Sequence, residues 1–161
     1  MNTLISILHI GTAVFIVGPM AIVPMTAMRA LRAGNAGQVR TLATSTFVLS
    51  LLSLLTFLFG FGAMGMAPKQ YDISFADTWI WLSIVLYVVA LAISLFVVVP
   101  SMRRAAAALD SAPTDVSGRV SPAVASDAAA AKKSGYAAIS AGSGVASLLL
   151  VIVVILMIWK P

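Results

Sequence analysis

Residues 3–28 read TLISILHIGTAVFIVGPMAIVPMTAM, 26 positions without a lysine, arginine, aspartate or glutamate. About 20 predominantly apolar residues, rising 1.5 Å each, cross the hydrocarbon of a bilayer. Three further uncharged runs follow, at 42–66, 78–99 and 135–159. In hydrocarbon the backbone has no water to bond, so each segment must satisfy its own N–H and C=O groups, which a helix does. The sequence therefore predicts an all-α fold, a four-transmembrane-helix bundle forming a single membrane domain over residues 1–161. Composition agrees: 61% of the residues are hydrophobic and 9% charged, where soluble domains carry about 25% charged residues.

The net charge of +5 does not indicate nucleic acid. The basic residues gather in the connections between apolar runs, where they set orientation and meet anionic lipid. Residues 29–40 hold Arg29, Arg32 and Arg40, with turn residues Gly34, Asn35 and Gly37 between them. Residues 101–134 hold Arg103, Arg104, Arg119, Lys132 and Lys133, whereas the other side holds only Lys69 and Lys160. Eight against two predicts that the first set faces the cytoplasm and that both termini lie outside. Trp79, Trp81 and Trp159 then fall together at the outer interface, where indoles prefer to sit. No basic residue precedes the first apolar run, so it does not read as a signal peptide and is expected to be retained.

The longest connection, residues 101–134, is an Ala-rich arm expected in the cytoplasm. Ser121 and Pro122 read as N-cap and first position of a helix that begins in water and enters the bilayer near Gly135. The second run is expected to thin at Gly60, Gly62 and Gly65 and to stop at Ala67 and Pro68. The third is expected to start after an N-cap at Asp77 and to close at Pro100. Pro19 and Pro24 are expected to bend the first helix.

Few residues could carry chemistry. The chain has no cysteine, which excludes disulfides and thiolate metal sites within it. No aspartate, glutamate, lysine or arginine lies inside a predicted span, where coupled transporters place such groups. No phosphate loop, nucleotide fingerprint, metal-ligand cluster or nucleophile–base pair is present, so no enzyme activity, catalytic residue, metal or cofactor is expected. His9, the only histidine, is an intramembrane ionisable group. It reads either as a neutral imidazole bonded to a neighbouring helix or as a haem ligand, and a bis-histidine site would need a second histidine. Asp72 and Asp77 read as solvated or capping groups. Met25 and Met28 stand at the opposite end from Met64 and Met66, so the methionines are expected to pack rather than share a copper(I) ion. Small residues mark close helix approach: Gly11 and Gly18 on the first helix, and Ala138, Gly142 and Ala146, with Gly144 beside them, on the fourth. These six are the candidate partner contacts.

The stretch LHIGTAVFIVGP, followed by Pro24 and RALRAG, resembles a family of four-helix predicted integral membrane proteins of unknown function. The likeness covers roughly the first 40 residues. A similar early histidine occurs in haem-associated membrane families. The Ala- and Val-rich, cysteine-free composition resembles actinobacterial proteins, among which small membrane chains occur as factors associated with the cytochrome bc–cytochrome oxidase supercomplex. The expected function is thus a non-catalytic accessory or assembly subunit of a larger membrane complex. Its expected partners are other integral membrane proteins and lipids, and its expected location is the bacterial plasma membrane. The alternatives are a small oligomeric transporter or permease subunit and a haem-binding redox protein using His9.

Overall fold

The computed structural model describes residues 2–65, 77–111 and 122–159. The expected stop at Ala67 and Pro68, the loop carboxylate Asp72 and the Ser121 cap lie outside the described residues. Everything described is helix or short turn. Helix α1 comprises Asn2–Thr12, a π-helical turn at Ala13–Val17, and Gly18–Arg32. Helix α2 is Ala36–Gly65. Helix α3 comprises Thr78–Ile93, a second π-helical turn at Ser94–Val98, and Val99–Asp110. Helix α4 is Pro122–Trp159 and runs through Gly135 without interruption. Four helices, one within each of these, are long and apolar enough to span a membrane.

The helices run up and down in sequence. Gly34, at φ 72, turns α1 into α2, a conformation glycine adopts without a Cβ penalty. Asn35 accepts the Gln38 N–H with its side chain and starts α2. His9 then meets Gly60, Tyr87 meets Ser53, and Ala105 meets Gly135, so each helix is antiparallel to the next. Arg32 of α1 reaches Tyr136 of α4, which closes the bundle. One end carries Arg29, Arg32, Arg40, Arg103, Arg104 and Lys133. The other carries His9, Trp79, Trp81 and Trp159.

Helix α3 departs from expectation at Pro100, and Pro19 stands in the same local setting. Proline lacks an N–H and its ring strikes the carbonyl four residues back. In α1 the Gly18 N–H bonds to Ala13 O, one residue further back than in an α-helix, directly ahead of Pro19. In α3 the Val99 N–H bonds to Ser94 O ahead of Pro100. The wider turn makes room for each ring, so α3 does not close at Pro100 but continues to Asp110. Residues 101–110, expected to open the cytoplasmic arm, are helix instead. The continuation is held by packing: Met102, Ala105 and Ala106 are buried in a cluster with Ala27, Leu31, Val39 and Ile139 at the basic end.

The burial pattern is that of a bundle in lipid. Hydrocarbon tails are as apolar as leucine, so nothing drives leucine inward, and small residues and hydroxyls take the helix contacts. The buried face of α2 is Ala36, Val39, Ala43, Thr46, Ser50, Ser53 and Thr56. Leu51, Leu52, Leu54, Leu55 and Leu58 point outward, as do Phe15, Phe96 and Ile158.

Candidate functional site

The bundle interior between α1, α2 and α3 holds a column of polar side chains, with His9 at one end. Its spacing follows from α2. Thr46, Ser50, Ser53 and Thr56 recur at four, three and three residues, which keeps them on one face over about 15 Å. That is about half the hydrocarbon thickness.

His9 sits near the start of α1 and is half-buried. Its Nδ1 lies 2.8 Å from the Thr56 carbonyl oxygen. A carbonyl only accepts, so Nδ1 carries the proton and donates. The neutral ring then presents Nε2 as an acceptor. Gly60, one turn beyond Thr56, lets the imidazole lie against the α2 backbone: a Cβ there would stand 3.0 Å from His9 Cε1. This places His9 as a hydrogen-bond donor to a neighbouring helix.

Further along the column, Ser53 Oγ donates to Ser50 O at 2.7 Å and lies 2.8 Å from Tyr87 Oη. Since Ser53 has spent its proton, the Tyr87 hydroxyl donates to it. The Tyr87 ring stacks on Phe57 at 5.0 Å, and Phe57 meets Phe61 edge-on at 4.7 Å. Thr46 Oγ1 donates to Leu42 O at 2.9 Å and touches Met102 Sδ. Ser50 Oγ and Thr56 Oγ1 are buried and find no partner among the described residues. Such orphans are few in native proteins. They leave the column able to accept further hydrogen bonds. Among the described residues, no group of three histidines, cysteines or carboxylates stands close enough to hold a metal. The contacts that the column makes are hydrogen bonds among hydroxyls, one imidazole and backbone carbonyls.

The sequence-predicted residues separate into two sets. Gly142 and Ala146 pack against α3 within this same chain. A Cβ on Gly142 would lie 3.0 Å from Val98 Cγ2, and Ala146 is buried with Tyr87, Ala90, Leu150 and Val153. Ala138 is half-buried on the same helix. Gly11, Gly18 and Gly144 have nothing within 4 Å of a Cβ position. Asp77 stands at the N-cap of α3, its carbonyl accepting from Ile80 and Trp81. Met25 is exposed, Met20 is buried, and Met64 lies toward the His9 end. The hydroxyl column and Tyr87 were not singled out from sequence, and Gly60 was read only as a place where the helix thins. Their signal was present, as hydroxyls at helical spacing inside a leucine-rich run.

A shallow cleft opens among α1, α3 and α4, lined by Met20, Pro24, Ser94, Ser143, Ser147 and Leu150. Its space is close to that of one water molecule, and Pro24 offers no N–H to the Met20 carbonyl beside it.

No curated protein and no solved structure matches the chain. A family model described as predicted integral membrane protein (DUF2269) matches residues 3–161. With its four long apolar helices and lipid-type burial, the chain belongs to that family of multi-pass integral membrane proteins, whose function is unknown.

Proposed function

We propose that this chain is a non-catalytic accessory or assembly subunit of a larger complex in the bacterial plasma membrane, of the kind associated with the cytochrome bc–cytochrome oxidase supercomplex. The observation that carries the reading is the uneven cover of the helices. In its most apolar stretch α1 has 6% of its residues buried, against 33% in α3 and 28% in α4. Its outward side offers Gly11 and Gly18, both with open space beside them, around Phe15 at 78% exposure. Small residues beside a projecting ring let a second helix approach closely, and that is how helices associate where lipid supplies no hydrophobic drive.

Native electrophoresis of mild-detergent membranes checks this reading. The chain is expected in a high-mass band, and Gly18→Leu, whose Cβ position has open space beside it, should move it towards monomer. Migration as a free monomer in wild type and variant alike would refute the subunit reading.

One observation favours a second reading, haem ligation by His9. Histidine ligands commonly donate their other ring N–H to a carbonyl, as Nδ1 does to Thr56 O. The same bands decide it: haem absorbance that follows the chain and disappears in His9→Ala supports ligation, and unchanged absorbance opposes it.

The orientation proposed, both termini outside, rests on the basic residues at one end. In the cysteine-free chain, a cysteine replacing Asn35 should be shielded from an impermeant thiol reagent in intact cells. Labelling there would reverse the orientation.

A further inference from the structure

We infer that the cleft among α1, α3 and α4 binds one water molecule, which ties the middle of α1 to the other two helices by hydrogen bonds. The first observation is size. The cleft has a free volume of about 10 Å³, and a site needs roughly 10–15 Å³ to take one water. There is room for one such molecule and not for a second.

The second observation is the set of polar groups around that space. Ser94 of α3 and Ser147 of α4 both line the cleft. A serine inside a helix often donates to a carbonyl three or four residues earlier, as Ser53, Ser83 and Ser143 do. The side chains of Ser94, 5% exposed, and Ser147, half-buried, make no hydrogen bond among the described residues. Their protons are unspent. Two acceptors stand with them. Ser143 has given its proton to Ser140 O at 3.3 Å and keeps its lone pairs. Met20 also lines the cleft, and its carbonyl lies four residues before Pro24, which has no N–H to give it. Two donors and two acceptors match the two lone pairs and two protons of a water molecule. No lining residue carries a charge, which suits a neutral guest rather than an ion.

The third observation concerns how α1 is held. Among the described residues, the side-chain hydrogen bonds that join α1 to other helices stand at its two ends, His9 to Thr56 O and Arg32 to Tyr136. Met20 lies between them, about 17 Å from His9 and 18 Å from Arg32 along the helix. A bridging water is nearly as good as a direct hydrogen bond, and here it gives the middle of α1 a polar tie to α3 and α4. The site stands independently of the subunit reading, and the chain alone is enough to test it.

X-ray radiolysis of the full chain in lipid nanodiscs makes the test, because a bound water split in place oxidises the side chain beside it. Met20 is 3% exposed and lines the cleft. Met102 is fully buried and packs in the cluster at the basic end. Met25 is exposed and reports radicals arriving through the lipid. Met20 should gain sulfoxide about tenfold faster than Met102. Ser147→Val sets a methyl group in the water's place and removes one donor, so the Met20 rate should fall to that of Met102 while Met25 keeps its own. Met20 as inert as Met102 in the wild type would overturn the site. Equal Met20 oxidation in wild type and Ser147→Val would overturn it as well, since the radicals would then come from outside. If Ser147→Val does not fold, Pro24→Ala decides. It returns an N–H to the Met20 carbonyl, takes one acceptor from the water, and should slow Met20 oxidation about threefold, whereas an unchanged rate overturns the site.

Discussion

Gly142→Leu is expected to separate α3 from α4 while Gly144→Leu, two residues away, leaves the bundle intact. At Gly142 a Cβ alone would stand 3.0 Å from Val98 Cγ2, 3.4 Å from Val97 Cγ1 and 3.7 Å from Ile93 Cγ2. These neighbours belong to the π-helical turn and the residue before it, which Pro100 fixes in place. The added isobutyl group has nowhere to go without parting the helices, and overpacking of this kind costs about 1–3 kcal/mol. At Gly144 nothing lies within 4 Å, so its variant should stay within about 0.5 kcal/mol of wild type. Both substitutions make the span more apolar, so both should insert. The fraction remaining monodisperse after heating in mild detergent reads the difference. Equal melting of the two variants would mean that Gly142 does not carry the α3–α4 contact.

That contrast shows what the sequence could and could not reveal. The four spans were legible because the bilayer imposes a length and forbids charge, and both constraints are local. The uncapped runs at 3–28 and 42–66 needed no knowledge of partners. The faces were harder to read. In a soluble bundle the leucines of α2 would mark the core, and here Leu54, Leu55 and Leu58 mark the outside. The inward side is written in Thr46, Ser50, Ser53 and Thr56, residues that a search for catalytic groups passes over. The small residues at 138–146 announced a close approach without saying whether another chain or α3 makes it. Only the third dimension assigns Gly142 to α3 and leaves Gly144 open.

Proline misled for a related reason. At Pro100 sequence reasoning ends the helix, because in water the released carbonyl is hydrated and the chain can turn away. In hydrocarbon the released group must be paired again nearby, and a single π-helical turn lets the helix continue past the ring. The same solution stands before Pro19, with a phenylalanine four residues ahead of the ring in both cases, Phe15 and Phe96, each 78% exposed. The two odd-numbered helices thus share a local device that a search for repeats along the sequence does not register.

Gly60→Val is expected to detach the His9 end of α1 from α2. The imidazole lies against Gly60, with a Cβ position 3.0 Å from Cε1 and 3.4 Å from Nδ1. A valine there sets a methyl-bearing carbon 3.0 Å from Cε1, so the ring must give way and its bond to α2 is strained. Losing the 2.8 Å bond from Nδ1 to Thr56 O adds an unpaired imidazole N–H to a column that already contains two hydroxyls without a partner among the described residues. Overpacking contributes about 1–3 kcal/mol, and the lost interhelical bond about 0.6–2 kcal/mol in a bilayer. Little else opposes the movement, since between Thr3 and Pro19 no residue of α1 is fully buried. Ile5 reports it directly: its Cγ2 lies 3.5 Å from the Cβ position of Gly62, one turn nearer the end of the bundle. In a chain without native cysteines, cysteines replacing Ile5 and Gly62 should cross-link readily on mild oxidation, and adding Gly60→Val should slow the reaction severalfold. His9→Ala in the same background separates the two causes, because it removes the bond and relieves the clash together. Slower cross-linking in Gly60→Val but not in His9→Ala would assign the effect to the clash. Slowing in both would give the histidine bond its own part in holding α1. Unchanged cross-linking in Gly60→Val would mean that the end of α1 is held by contacts other than His9.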